Sequence, residues 1–203
     1  MSCTYPKERI EAVIAFHGHS CPGLTIGIRA SELARLRWPD ATDRDLMAVV
    51  ETDMCGVDAI QHLLGCTFGK GNLIHRDYGK MAFSFYNRPL YQAFRAVLRP
   101  EARQGMDVEL GDLMAKEADG EATPEDAARI SDLRSRMQEV FMALPLDAMF
   151  AVRELTPSPP RPARILTSLR CALCGEMVME SRTRRLGGQT LCIPCFNTVE
   201  QKI

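Results

Sequence analysis

Four prolines within six residues, Pro157-Ser-Pro-Pro-Arg-Pro162, set the first limit on what this chain can fold into. A proline has no backbone N–H and a fixed φ, so neither a helix nor an inner strand passes through such a run. The chain therefore reads as two units: a core over 1–156, a linker over 157–164 and a small module over 165–203. With 203 residues there is enough chain for one sizeable core plus a satellite. The charge divides along the same line. From Arg161 onward six Arg and one Lys face three Glu, giving +4, and the formal total of -1 then leaves -5 for the rest.

That acidic majority gives no general case for nucleic-acid binding. No apolar run approaches the ~20 residues that cross a bilayer, so no membrane role is expected. The opening residues Met1 to Glu8 carry no apolar export signal. Eight cysteines could suggest a secreted disulfide framework, but four of them form two Cys-x-x-Cys pairs and the others stand singly at 3, 21, 55 and 66. This grouping points to metal-binding or reactive thiols in a reducing cytoplasm, with disulfides as the alternative.

The small module is the more legible of the two. Cys171-Ala-Leu-Cys174-Gly175 places two thiolates on a tight turn, and Cys192-Ile-Pro-Cys195 supplies a second pair after 17 intervening residues. Between them Gly187-Gly188 marks a hairpin, and Cys195 is expected to open a terminal helix. A turn, a hairpin and a helix carrying the second pair suggest a treble-clef finger around one structural Zn²⁺. Arg182, Arg184 and Arg185 on the hairpin could meet phosphate, but a solvated face is favoured over nucleic acid.

In the core, Lys7 to Phe16 reads as a short helix with Ile10, Val13 and Ile14 on one face. Pro22 suits the first position of a helix running to Arg37, which places Cys21 at its N-cap, where free N–H groups favour a thiolate. Leu46 to Val50 reads as a buried strand that delivers Glu51, Asp53 and Cys55 at its end. The apolar residues Val57, Ile60, Leu63 and Leu64 continue it as a helix, with Asp53 as its cap. Gly65 to Asn72 is a glycine-rich loop holding Lys70. Three residues separate Gly65 from Gly69 and no Ser or Thr follows the lysine, which excludes a nucleoside-triphosphate loop, although Lys70 could hold an anion.

Met81 to Tyr86 alternates as a strand, Tyr91 to Leu98 has helical spacing, and 101–122 carries no assignable task. Thr123 starts a long helix, and Met149 to Leu155 reads as a last strand.

His17-Gly-His19-Ser-Cys21 places three metal-capable side chains within five residues. With Cys55 brought to them, they form a candidate site for zinc or another transition metal such as nickel. Four motifs, His17-Gly-His19-x-Cys21-Pro-Gly, Glu51-Thr-Asp53-x-Cys55-x-Val-Asp58, Gly65-x-Thr-Phe-Gly-Lys70-Gly-Asn72 and Asp77-Tyr-Gly-Lys80, resemble the FmdE family, named for the FmdE component of molybdenum or tungsten formylmethanofuran dehydrogenase. The resemblance spans about residues 5–155. It implies an α+β core followed by a treble-clef zinc finger, a homodimer, and a site of His17, His19, Cys21 and Cys55 lined by Glu51, Asp53, Asp58 and Lys70.

The function expected is that of a metal-binding accessory protein to such an oxidoreductase, with no stand-alone activity assigned. Two alternatives stand beside it: a thiol redox protein cycling Cys21 and Cys55, and a regulator whose finger binds nucleic acid or a protein.

Overall fold

The computed structural model describes residues 3–156, 158–161 and 164–199. The chain divides into two compact units, one up to residue 162 and one from residue 163.

The first unit opens with α1 (Lys7–His17), which ends at Gly18. A φ of 95° there lets the Gly18 N–H return to the Ile14 carbonyl at 2.8 Å. Next comes α2 (Pro22–Arg37), with Pro22 at its first position, and then β1 (Leu46–Val50), α3 (Gly56–Leu64) and β2 (Leu73–His75). β1 and β2 pair in parallel, so α3 is the crossover between them. β3 (Ala82–Asn87) pairs antiparallel with β1 on its other side, and β4 (Gln92–Leu98) with β3.

A 3₁₀ turn (Pro100–Arg103) leads to α4 (Met106–Ala118). α5 (Pro124–Ala143) follows, started by a reciprocal cap in which Thr123 and Asp126 bond each other's backbone N–H. The short α6 (Leu146–Met149) and β5 (Phe150–Glu154) close the unit, giving the five-stranded order β2-β1-β3-β4-β5.

Residues 91–98, expected as a helix from their spacing, form β4 instead. β4 lies between β3 and β5, and Ala93, Phe94, Ala96 and Leu98 are all buried. Burial on both faces of an inner strand erases the in-out alternation that would have identified it. Residues 101–122 resolve into the 3₁₀ turn and α4, whose Leu113 packs on Ile130 and Leu133 of α5.

The main core lies between the helices and one sheet face. Ile26, Ala30, Ala34 and Trp38 of the α2 region meet Ala48, Val50, Phe85 and Phe94 of the sheet and Phe141 of α5. Trp38 also donates its indole N–H to Gln92 at 2.7 Å, so its polar end is satisfied. A second cluster, Val13, Leu24, Ile28, Ala59 and Leu63, joins α1, α2 and α3, and Cys21 and Cys55 pack against it.

The contact between α2 and α3 positions the site. A Cβ placed on Gly27 would lie 2.1 Å from the Gly56 carbonyl oxygen, and one on Gly56 would lie 3.0 Å from the Gly23 carbonyl. The two helices therefore touch backbone to backbone, which no larger residue permits. Cys21 and Cys55 immediately precede the ends that meet.

The second unit contains the hairpin β6 (Ser168–Arg170) and β7 (Met177–Met179), the hairpin β8 (Thr183–Leu186) and β9 (Gln189–Cys192), and α7 (Ile193–Thr198). Gly187 and Gly188, at φ 55° and 78°, form the two-residue turn between β8 and β9. Cys192 caps α7, and Cys195 lies inside its first turn rather than opening it.

Candidate metal centre

α1 ends on His17, the left-handed Gly18 reverses the backbone, and His19 follows, so the two imidazoles lie side by side, tilted by 37° with centroids 4.5 Å apart. Cys21 sits in extended conformation at the N-cap of α2, where its Sγ accepts the Leu24 N–H at 3.4 Å. Cys55 precedes α3 and reaches the same place through the glycine contact. One donor atom from each of His17, His19, Cys21 and Cys55 lies within 4.8 Å of all the others. The sequence-predicted quartet thus converges. His19 is exposed and the other three are half-buried, so the group faces solvent on one side.

The imidazole of His17 is held in a defined orientation. Its Nδ1 lies 2.7 Å from Asp58 Oδ2, and its Nε2 lies 3.9 Å from Cys21 Sγ. Donation from Nδ1–H to the carboxylate leaves the Nε2 lone pair free, which is the outer-sphere arrangement that orients metal-binding histidines. Gln61 in turn donates to Asp58 Oδ1 at 3.1 Å and holds the carboxylate in place. Two sulfurs and imidazole nitrogen suit a borderline or soft divalent ion. Burial and the neighbouring Cys21 push the Cys55 thiol above its usual range. Unlike Cys21, Cys55 has helical dihedrals and makes no side-chain cap hydrogen bond.

The other predicted lining residues separate. Asp58 joins the site. Glu51 is taken by Arg95, whose Nε and Nη2 meet its two carboxylate oxygens at 2.6 and 2.7 Å. Those bonds hold the Glu51 carboxyl below its usual pKa, and the nearby Lys80 and Arg76 lower it further. Asp53 is exposed and does not cap α3; Cys55 occupies that position. Lys70 bonds the Gly65 carbonyl at 3.1 Å, beyond the opposite end of α3, about 14 Å away at ~1.5 Å per residue. Sequence reasoning missed the partner of Glu51 and the glycines of the helix contact. Gly23-x-x-x-Gly27 at one-turn spacing was the available signal for the latter.

In the second unit Cys171, Cys174, Cys192 and Cys195 also place their sulfurs within 4.8 Å of one another. Cys174 and Cys192 sulfurs are 4.0 Å apart, close to the ~3.8 Å edge of a tetrahedron of 2.3 Å Zn–S bonds. The Cys171 sulfur accepts the Cys192 N–H at 3.3 Å, and the Cys192 sulfur accepts the Cys195 N–H at 3.4 Å. Backbone donors of this kind lower the Cys171 thiol to about 6. Cys195, sharing hydrogen atoms with the neighbouring sulfurs, is pushed up to about 12. A cation among the four sulfurs removes that competition for protons, so the donor set fits zinc.

The FmdE family model, described as FmdE of the molybdenum formylmethanofuran dehydrogenase operon, matches residues 16–151, from the residue before His17 into β5. The chain belongs to the FmdE family. A second model, the prokaryotic dksA/traR C4-type zinc finger, matches residues 164–201 and contains all four finger cysteines. A protein of Archaeoglobus fulgidus described as a probable S-adenosyl-L-methionine-binding protein is 30% identical over 188 residues, covering 89% of this chain and 50% of that protein. This FmdE-family chain thus spans about half the length of the curated relative it matches. The crystal structure of an FmdE-like protein of the tungsten formylmethanofuran dehydrogenase type, from Syntrophus aciditrophicus, superposes with a TM-score of 0.63 at 24% identity, covering 98% of this chain and 96% of that one. That likeness is one of fold. Among the described residues no helix is long and apolar enough to cross a membrane.

Proposed function

We propose that the core of this FmdE-family protein is a transition-metal site and that the chain serves as an accessory protein to a molybdenum or tungsten oxidoreductase of the formylmethanofuran dehydrogenase type. The observation that carries the metal reading is the convergence of His17, His19, Cys21 and Cys55 within 4.8 Å, with Asp58 orienting His17. In this reading Cys21, Cys55 and His17 are the inner ligands, and the exposed His19 is the ligand that exchanges with an incoming group. The operon named in the family's description supports the choice of partner.

The C-terminal unit is read as a treble-clef finger with structural zinc, supported by its cysteine turn, hairpin and helix. The division of the chain at residues 162 and 163 supports a core over 1–156, a linker over 157–164 and a finger over 165–203. Phe16 and Met54 are exposed beside the site ligands His17 and Cys55, which supports a homodimeric contact at that face, measurable by light scattering. The gathering of six cysteines into two ligand-type clusters supports a reducing cytoplasm, where thiols stay available to metal.

Metal counting on the intact chain tests the central claim. Two metal ions per chain are expected, falling to one in Cys21→Ser or Cys55→Ser. A wild-type protein holding one ion, lost only on substituting a finger cysteine, would remove the core site. The nearness of the Cys21 and Cys55 sulfurs also favours a second reading, reversible disulfide formation between them. Differential alkylation after oxidation tests it, and equal labelling of both thiols before and after would eliminate it.

A further inference from the structure

The glycine-rich loop of residues 65–72 takes no part in the metal centre. It forms one wall of a cavity of about 560 Å³ whose other walls come from the segment before β1 and from the turn after β3. Asp43, Arg44, Lys70, Asn72 and Arg88 line it. We propose that this cavity binds the phosphoryl group of a small molecule, at a site separate from the metal centre.

The first argument is charge. Three cations converge on the cavity against one carboxylate, on a unit whose sequence is acidic as a whole. Among the described residues Asp43 pairs with Lys70 at 3.5 Å, and neither Arg44 nor Arg88 forms an ion pair. Among the described residues the Arg88 guanidinium makes only a 3.6 Å contact, from Nη2 to the Met47 thioether. Scattered surface cations on an acidic protein would have carboxylate neighbours. Here neither arginine is held in an ion pair among the described residues, so three cations against Asp43 leave the lining with a net positive charge that an anion satisfies.

The second argument is rigidity. Asn72 is buried, and its side-chain amide ties the walls together. The two hydrogens of its Nδ2 are shared among the carbonyls of Asp43 at 3.1 Å, Leu46 at 3.1 Å and Gly65 at 3.3 Å, and its Oδ1 accepts the Thr67 N–H at 2.9 Å. Gly65 adopts φ +64°, and the Asp43 carboxylate lies where its Cβ would be, only 2.2 Å away. Lys70 Nζ is thereby anchored on the Gly65 carbonyl, and the Arg88 backbone N–H on the Asp45 carbonyl at 3.0 Å. Lys70 and the backbone of Arg88 are thus held in place, which lowers the entropy cost of gathering these two cations around a ligand.

The third argument is size and chemistry. Arginine presents a planar fork matched to phosphate oxygens, and lysine adds a point charge. A volume of this order exceeds one phosphate and admits a phosphomonoester of sugar-phosphate size. The loop lacks the spacing that cradles a triphosphate, so a single phosphoryl group is the class that fits.

Titration of the full chain with inorganic phosphate and with ribose 5-phosphate tests the proposal, read by calorimetry and by amide shifts of Lys70, Gly71 and Asn72. Saturable binding is expected, weakened about tenfold or more in Arg88→Gln and Arg44→Gln. It should strengthen in Asp43→Asn, which frees Lys70 from its competitor. Lys7→Gln, far along the chain on an exposed helix, is expected to leave it unchanged. Tighter binding of the ester would identify a phosphomonoester, and equal binding would identify phosphate itself; both support the site. Absence of saturable binding at millimolar ligand, or an equal loss in Lys7→Gln, overturns the proposal. Thermal melting and metal content of each variant separate loss of the site from loss of the fold.

Discussion

Replacing Gly27 with alanine is the sharpest test of how this fold brings its two core cysteines together. The new Cβ would lie 2.1 Å from the Gly56 carbonyl oxygen, 1.3 Å short of the 3.4 Å at which ordinary contact begins. Neither atom can rotate away, because both belong to helix backbone or are fixed to it. α2 and α3 must therefore separate by about 1 Å at the crossing. Such overpacking costs typically ~1–3 kcal/mol, and backbone-on-backbone contact belongs at the upper end. The better helix propensity of alanine returns up to about 1 kcal/mol. A net loss of about 2 kcal/mol lowers the melting temperature of a unit this size by roughly 4–8 °C.

The effect on the metal should be larger than the effect on stability. Metal–sulfur distances tolerate about 0.2 Å, whereas the Cys21 and Cys55 sulfurs ride on the two ends being pushed apart. Core zinc affinity, measured by chelator competition with the finger zinc as internal reference, is expected to fall at least a hundredfold, about the upper end of what disturbing ligand orientation does. Gly23→Ala provides a graded control: its Cβ meets the Cys55 Cβ at 3.3 Å, so a shift of a few tenths of an ångström suffices. A Gly27→Ala protein with wild-type melting and wild-type zinc affinity would refute the argument that this contact builds the site.

Three other outcomes follow from the geometry. Asp58→Asn should reduce core metal affinity about 10- to 100-fold without changing the number of sites, because it frees the His17 ring from its 2.7 Å anchor. Glu51 is held below its usual 4.5 by Arg95, so its contribution to stability is present above that pH and is lost as pH falls through the lowered value. Acid titration of stability should therefore lose part of its slope below pH 4.5 in Glu51→Gln, and Arg95→Ala, which strands a buried carboxylate, should cost about 3 kcal/mol or more in denaturant melts. Removing zinc from the finger with a chelator, or by Cys174→Ser, should abolish hydrogen-exchange protection across β8, β9 and α7, whose packing gathers around buried Cys171, Leu191 and Cys192.

Much of this was readable in the residues, for identifiable reasons. Cysteine spacing in the finger leaves few arrangements that place four sulfurs around one ion. Pro22, Thr123 and Asp126 mark helix starts through local bonds, which need no knowledge of the rest of the fold. The quartet of His17, His19, Cys21 and Cys55 was legible because three of its members are neighbours in sequence. What escaped depends on distant partners. β4 lost its alternation because both its faces carry apolar residues, Ala93 and Val97 on one and Phe94, Ala96 and Leu98 on the other. Glu51 resembled a site residue until Arg95, on a strand two places away in the sheet, was seen to hold it. The helix contact at Gly23, Gly27 and Gly56 is visible only once α2 and α3 are known to cross there.

The crossover helix α3 begins beside Cys55 and ends at Gly65, so one nine-residue rod forms part of the walls at both places. A rod that short does not bend appreciably over its length. A nudge along its axis delivered by a ligand at the Gly65 end would be felt at the Cys55 end without any relay of side chains, and occupancy of either place would by reciprocity weigh on the other.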